Sequence, residues 1–256
     1  MNASAVISHW HHLNVTSVDD HLAFWIGALG GTRAQGTWLG ELTLDLSGVL
    51  MTLTPHAPSG GTKGTTVNHL GFQVPSLRDA LERVRAVGCP VVTRAELPAQ
   101  NPVTDDIGFV ASTGNYVAFV MAPDETKVEL IEAPSMTGTV ALHHVHFSAP
   151  DVAAMRAWYV DIFGASAEVR GSFQTAELPC VSLRYSPGAP PVAGTRGRAL
   201  DRLGFDVTNL PALVARLEAA GAIADRDAAT RSAGAAIVTD PWGTRLELNE
   251  TSSGHP

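Results

Sequence analysis

Apolar and polar residues alternate over short stretches of this chain, and each stretch runs into a helix-period segment that stops at a glycine. The pattern occurs four times. Leu70, Phe72 and Val74 alternate with His69, Gly71 and Gln73, and Leu203, Phe205 and Val207 alternate with Arg202, Gly204 and Asp206. Alternation of this kind puts one apolar and one polar face on a strand. Helical runs follow at residues 18–29, 77–87, 152–163 and 210–220, closing at Gly30, Gly88, Gly164 and Gly221. Ser17 with Asp20, and Ser76 with Asp79, have capping-box-like spacing, and Asn209 is a candidate cap for the fourth run. The closing glycines suit the left-handed position after a helix. Counted from His12, His69, His144 and Arg202, the glycine lies 18, 19, 20 and 19 residues on.

Between the helical runs lie more alternating segments, at 42–46, 49–53, 116–121, 128–131, 181–185, 235–238 and 245–248. They read as antiparallel strands joined by turns. The unit is therefore β-α-β-β-β, used four times, which predicts an α+β fold. The apolar strand faces go under the helices and the polar faces look into a wet space. A second period lies on top of the first: GTKGTTVNHLGFQV at 61–74 returns as GTRGRALDRLGFDV at 194–207. Two pseudo-repeated halves follow, residues 1–134 and 143–256, with a joint at 135–142.

Composition narrows the function classes. With 17 Lys and Arg against 25 Asp and Glu, the formal charge of −8 disfavours a nucleic-acid partner. No stretch of about 18 apolar residues and no secretory leader pattern is evident, so a cytoplasmic protein without a membrane partner is expected. Cys89 and Cys180 lack a CxxC spacing, which argues against a thiolate metal site or a disulfide framework.

The polar strand faces carry metal-ligand residue types. His12, His69 and Glu129 supply them in the first half, and His144, Arg202 and Glu247 stand in the corresponding places of the second. Two imidazoles and one carboxylate leave open coordination positions for a divalent Fe, Mn, Zn, Ni or Co. An arginine donates only, so Arg202 cannot replace a histidine ligand, and an ion pair with Glu247 is expected. His146 and Tyr116 are candidate catalytic groups, His146 because it shares a strand face with His144.

The fourfold unit, with a histidine opening a strand and a glutamate in the turn–strand segments APDETKVELIE and DPWGTRLELNE, resembles the vicinal oxygen chelate superfamily. Glyoxalases, fosfomycin-resistance enzymes, bleomycin-binding proteins and extradiol dioxygenases belong to that superfamily. The resemblance spans residues 8–250. It implies that pairs of units curl into open mixed-sheet barrels around cavities, with a metal that holds adjacent oxygens of a small organic substrate, in an isomerase, lyase or oxygenase reaction. A non-catalytic binding or resistance protein is the alternative. It also implies that His69 and Glu129 are joined by a histidine from the first strand of an odd-numbered unit. That histidine is His12 if each half closes on itself, the pairing preferred here, and His144 if the halves exchange units. Thr52 and Ser182 stand near the place of the glyoxalases' fourth, carboxylate ligand, and 109–121 has no histidine where extradiol enzymes carry an acid–base one. Monomer and homodimer both remain open.

Overall fold

The computed structural model describes residues 6–35, 41–190, 192–225 and 234–251. Its first unit has β1 (Val6–Val15), α1 (Val18–Leu22) with a π-helical continuation (Ala23–Ala28), β2 (Thr32–Arg33), β3 (Leu42–Asp45) and β4 (Leu50–Pro55). The second has β5 (Val67–Val74), α2 (Leu77–Ala86), α3 (Thr93–Glu96), β6 (Val103–Thr104), β7 (Ile107–Val110), β8 (Asn115–Ala122) and β9 (Thr126–Glu132). The third has β10 (Ala141–Ala149), α4 (Val152–Phe163), β11 (Ser166–Arg170), β12 (Phe173–Leu178) and β13 (Val181–Pro187). The fourth has β14 (Leu200–Val207), α5 (Leu210–Ala219), β15 (Ile223–Ala224), β16 (Ala235–Thr239) and β17 (Arg245–Glu250). The α+β class and the four units are those the alternation predicts.

The helix ends follow their local chemistry. The hydroxyls of Ser17 and Ser76 accept from the backbone N–H of Asp20 and Asp79 at 3.2 and 3.3 Å. Asp151 caps α4 in the same way, at 3.0 Å from the Ala154 N–H. Asn209 differs: it takes φ 55° and its side chain makes no cap bond. All four closing glycines have positive φ, from 69° at Gly164 to 89° at Gly221, a region where a Cβ is costly.

Two open mixed sheets carry the fold, in the orders β15-β16-β17-β14-β1-β4-β3-β2 and β11-β12-β13-β10-β5-β9-β8-β7-β6. Strands of the first unit thus pair with the fourth, and strands of the second pair with the third. The preferred expectation that each half closes on itself is corrected: β1 lies against β14, and β5 against β10, both antiparallel. The cause is the short joint. Chain leaving β9 re-enters as β10 after eight residues, and short connections keep consecutive strands in one sheet. Both flank β5.

Helices of the same half nevertheless touch. Arg83 Nε donates to the Ala28 carbonyl at 2.7 Å, and Trp158 Nε1 to the Ala220 carbonyl at 3.0 Å. Beneath them one apolar core runs through the molecule, with Phe72, Phe147 and Phe205 fully buried. Burial of each such ring contributes about 2–3 kcal/mol. The opposite, polar faces of the two sheets are left to line cavities.

Candidate metal centre

The nine-stranded sheet brings His69, Glu129, His144 and His146 together from three adjacent strands. In β5 and β10, His69 pairs with His146 and Gly71 with His144. Parallel β9 sets Glu129 beside Gly71. A side chain at position 71 is excluded, because a Cβ there would come within 2.2 Å of the His144 ring. Gly71 is the floor on which that imidazole lies.

His69 Nε2 and His144 Nε2 each approach Glu129 Oε2 at 3.2 Å. The three histidines hold ring nitrogens within 4.8 Å of one another, and the His69 and His146 rings stack at 4.3 Å. His69 Nδ1 lies 3.0 Å from Asn68 Oδ1, so Nδ1 carries the hydrogen and Nε2 turns a lone pair toward the carboxylate. His144 Nδ1 contacts His143 Nδ1 at 2.9 Å, and His144 Nε2 has no aligned hydrogen-bond partner despite its closeness to Glu129. Electron-rich atoms facing one another in a buried place call for a positive centre between them.

Burial lowers the His69 pKa to about 4, against the opposing pull of Glu129, and lowers His144 too. His146 is driven well below the ordinary imidazole value, first by burial and then by its two histidine neighbours. Burial alone would raise the Glu129 carboxyl, but the nearby His144 and His69 rings outweigh it and hold it well below the usual range. Neutral imidazoles and an ionised carboxylate are the forms that bind metals. The donor set and the orphaned His144 nitrogen therefore fit a divalent cation, with His69, His144 and Glu129 as ligands and His146 beside them.

Of these, His69, Glu129 and His146 line a cavity of about 550 Å³. Phe119, Phe173 and Val117 provide apolar wall, and Lys127, Arg184 and Ser186 polar wall. Ser186 Oγ meets His146 Nε2 at 2.7 Å. Lys127 Nζ donates to Glu96 at 2.9 Å.

Two expectations are corrected. Tyr116 does not reach this cavity. On β8, Val117 and Phe119 face it, while alternation turns Tyr116 to the other side, 52% exposed, into an open groove beside α2. His12 lies in the eight-stranded sheet, away from His69 and Glu129, because β1 pairs with β14.

The equivalence of His12 and His144 fails as well. Trp10 pairs with Gly204 and covers it, as His144 covers Gly71, and His12 pairs with Arg202, as His146 pairs with His69. The first unit's counterpart of His144 is therefore Trp10. Here the second cavity, about 440 Å³, holds a buried ion pair. Arg202 Nε donates to Glu247 Oε2, its Nη1 to Asp201 at 2.8 Å, and its Nη2 approaches His12 Nδ1 at 3.0 Å. The guanidinium fills the place a cation would take.

Sequence reasoning passed over Asn68, Arg184 and Ser186. For the last two a signal existed. In VSLRYSP the apolar residues are Val181, Leu183 and Tyr185, which leaves Ser182, Arg184 and Ser186 on the cavity-facing side.

The comparisons with known proteins agree with this architecture. Residues 141–248 match the family model described as Glyoxalase/Bleomycin resistance protein/Dioxygenase superfamily. Among solved structures, glyoxalase I from Zea mays superposes with a TM-score of 0.70 at 14% identity, over 97% of this chain and 92% of that one. A putative dioxygenase from Bacillus subtilis subsp. subtilis str. 168 gives 0.59 at 12%, over 98% and 87%. The cppA protein from Streptococcus pneumoniae TIGR4 gives 0.53 at 12%, over 98% and 100%. At such identities the likeness is one of fold. No curated protein matches the sequence. Among the described residues no helix is long and apolar enough to cross a membrane.

Proposed function

We propose that this chain, whose residues 141–248 match the glyoxalase, bleomycin resistance protein and dioxygenase superfamily model, is a metal-dependent enzyme whose complete site is His69, Glu129 and His144. Its substrate is a small organic molecule presenting adjacent oxygens. The observation that carries this reading is a pair of imidazole nitrogens, each 3.2 Å from one carboxylate oxygen that lines a cavity. A divalent cation held there supplies Lewis acidity toward the oxygens it binds.

The chain's own groups have separable parts in the work. Asn68 and His143 hold the Nδ1 edges of His69 and His144, which fixes ring orientation. Phe119 and Phe173 exclude water from the inner cavity, which strengthens each electrostatic contact there. His146 is placed to take a proton at Nε2, with the Ser186 hydroxyl orienting it. Isomerase, lyase and oxygenase reactions share such a step.

Metal analysis of the purified protein tests the reading. Wild-type protein and His12→Ala retain about one divalent ion per chain, whereas His69→Ala, His144→Ala and Glu129→Ala lose it, each ligand being worth at least tenfold in affinity. Wild-type protein that stays metal-free after exposure to Fe, Mn, Co, Ni and Zn salts would sink the proposal. So would full retention by a folded Glu129→Ala.

A further inference from the structure

Arg184 is 94% buried by its 6% exposure, lines the cavity, and has no carboxylate within ion-pair distance among the described residues. Its Nε lacks any hydrogen-bond partner, and Nη2 has only a long 3.4 Å approach to His143 Nε2. The guanidinium carbon stands 5.7 Å from the Phe173 ring centroid. A buried arginine is normally paired, because taking its charge out of water costs several kcal/mol unless hydrogen bonds and an anion compensate. The other arginines buried to a similar degree, Arg202 and Arg245, each reach Asp201, at 2.8 and 2.6 Å. The partner that Arg184 lacks within the protein is accommodated by the open cavity in front of it.

We propose that Arg184 recognises a compact oxyanion on the substrate, a carboxylate or a phosphate-type group, at a subsite along the wall from the metal centre. The proposal deepens the function above and rests on it for the site's metal. Register gives the layout. His146 lies beside Arg184 on one side and His69 on the other, so two strand spacings, about 10 Å, separate the Arg184 and His69 backbones. One small molecule bridges that distance, its adjacent oxygens at the His69 end and its anionic end at Arg184.

Charge balance points the same way. Glu96, Lys127, Glu129 and Arg184 are the charged groups of the cavity wall, two of each sign. Lys127 is matched by Glu96 at 2.9 Å, and Glu129 faces the histidines. With a dication bound between neutral imidazoles, the wall carries a net charge of about +2. A monoanionic or dianionic substrate offsets it, and the fork of guanidinium N–H donors matches oxyanion geometry.

The test titrates inorganic phosphate and, separately, succinate into metal-stripped and Mn-loaded protein by calorimetry, with wild type, Arg184→Lys and Arg184→Gln. Wild type binds at least one of the two probes in metal-stripped form. Arg184→Gln weakens that binding at least about tenfold, and Arg184→Lys weakens it less. The better-bound probe identifies the oxyanion. If Arg184→Gln does not fold, the side-chain nitrogen resonance of Arg184 in isotope-labelled wild type, assigned from its absence in Arg184→Lys, must shift on adding the probe. Unchanged binding in a folded Arg184→Gln overturns the proposal, as does a resonance that stays still or a wild type that binds neither probe. A chain that binds the probe without ever taking up Fe, Mn, Co, Ni or Zn defeats the metal reading and leaves Arg184's role standing.

Discussion

His9 and His11 face the apolar core rather than the cavity, and their fate shows how much a single imidazole can cost. His9 Nδ1 donates to the Gly204 carbonyl at 3.0 Å, and the His11 Nε2–H donates to His9 Nε2 at 2.8 Å. His11 Nδ1 is left without a partner, a buried lone pair that the chain tolerates. Burial lowers the His9 pKa from 6.5 to about 3, and lowers His11 well below 6.5. The sign follows from proton counting: below 6.5 the unfolded chain takes up protons that the folded chain refuses. Stability is therefore whole above that value and falls as pH drops from 6.5 toward 3. Urea midpoints of metal-stripped protein at neutral and at mildly acid pH are expected to differ markedly. The difference should shrink in a double variant, His9→Phe with His11→Leu. An unchanged pH slope in that variant would show that other groups dominate the acid limb.

At the scale of the strand, two glycines decide what can lie across them. Gly71 admits the His144 ring and Gly204 admits the Trp10 ring, with a virtual Cβ at 2.2 and 1.9 Å respectively. Gly71→Ala should push the imidazole off its floor and weaken metal binding about tenfold or more, with the sheet intact. Gly204→Ala should cost about 1–3 kcal/mol of stability through overpacking while metal affinity stays within about twofold, as read from thermal unfolding and metal titration. Equal metal loss in both would place the effect in the fold instead. The same pair of positions explains where the sequence was legible. Alternation and closing glycines yield every unit, and His69 and Glu129 follow from the repeat. The register of the odd units does not, because adjacent histidines such as His11 and His12, or His143 and His144, allow several alignments. A signal was present: counting to the closing glycine from His146 gives 18 residues, the same as from His12 to Gly30. That pairs His12 with His146 and moves Trp10 opposite His144.

The whole molecule is interlocked in a way no local pattern reveals, since strand exchange depends on which edges meet in space. Helices tie each half to itself, while each sheet draws strands from both. His69 and Glu129 come from one half and His144 from the other, so neither half holds the proposed metal centre by itself. Fragments 1–134 and 135–256, made separately, should each bind metal at least tenfold more weakly than the intact chain, and their mixture should recover it with a dependence on concentration. Tight binding by the first fragment alone would contradict the exchange. The Arg202–Glu247 pair then bears on what this chain can become. Its carboxylate already stands where a second metal would need one, yet Trp10→His alone leaves the guanidinium seated, and Arg202→His alone strands Glu247 without its counter-charge in a buried place, while Asp201 keeps Arg245. Either single step is a loss or a blank. The two changes must arrive together, so the second cavity acts as a ratchet that keeps the described residues at one complete set of metal-ligand types.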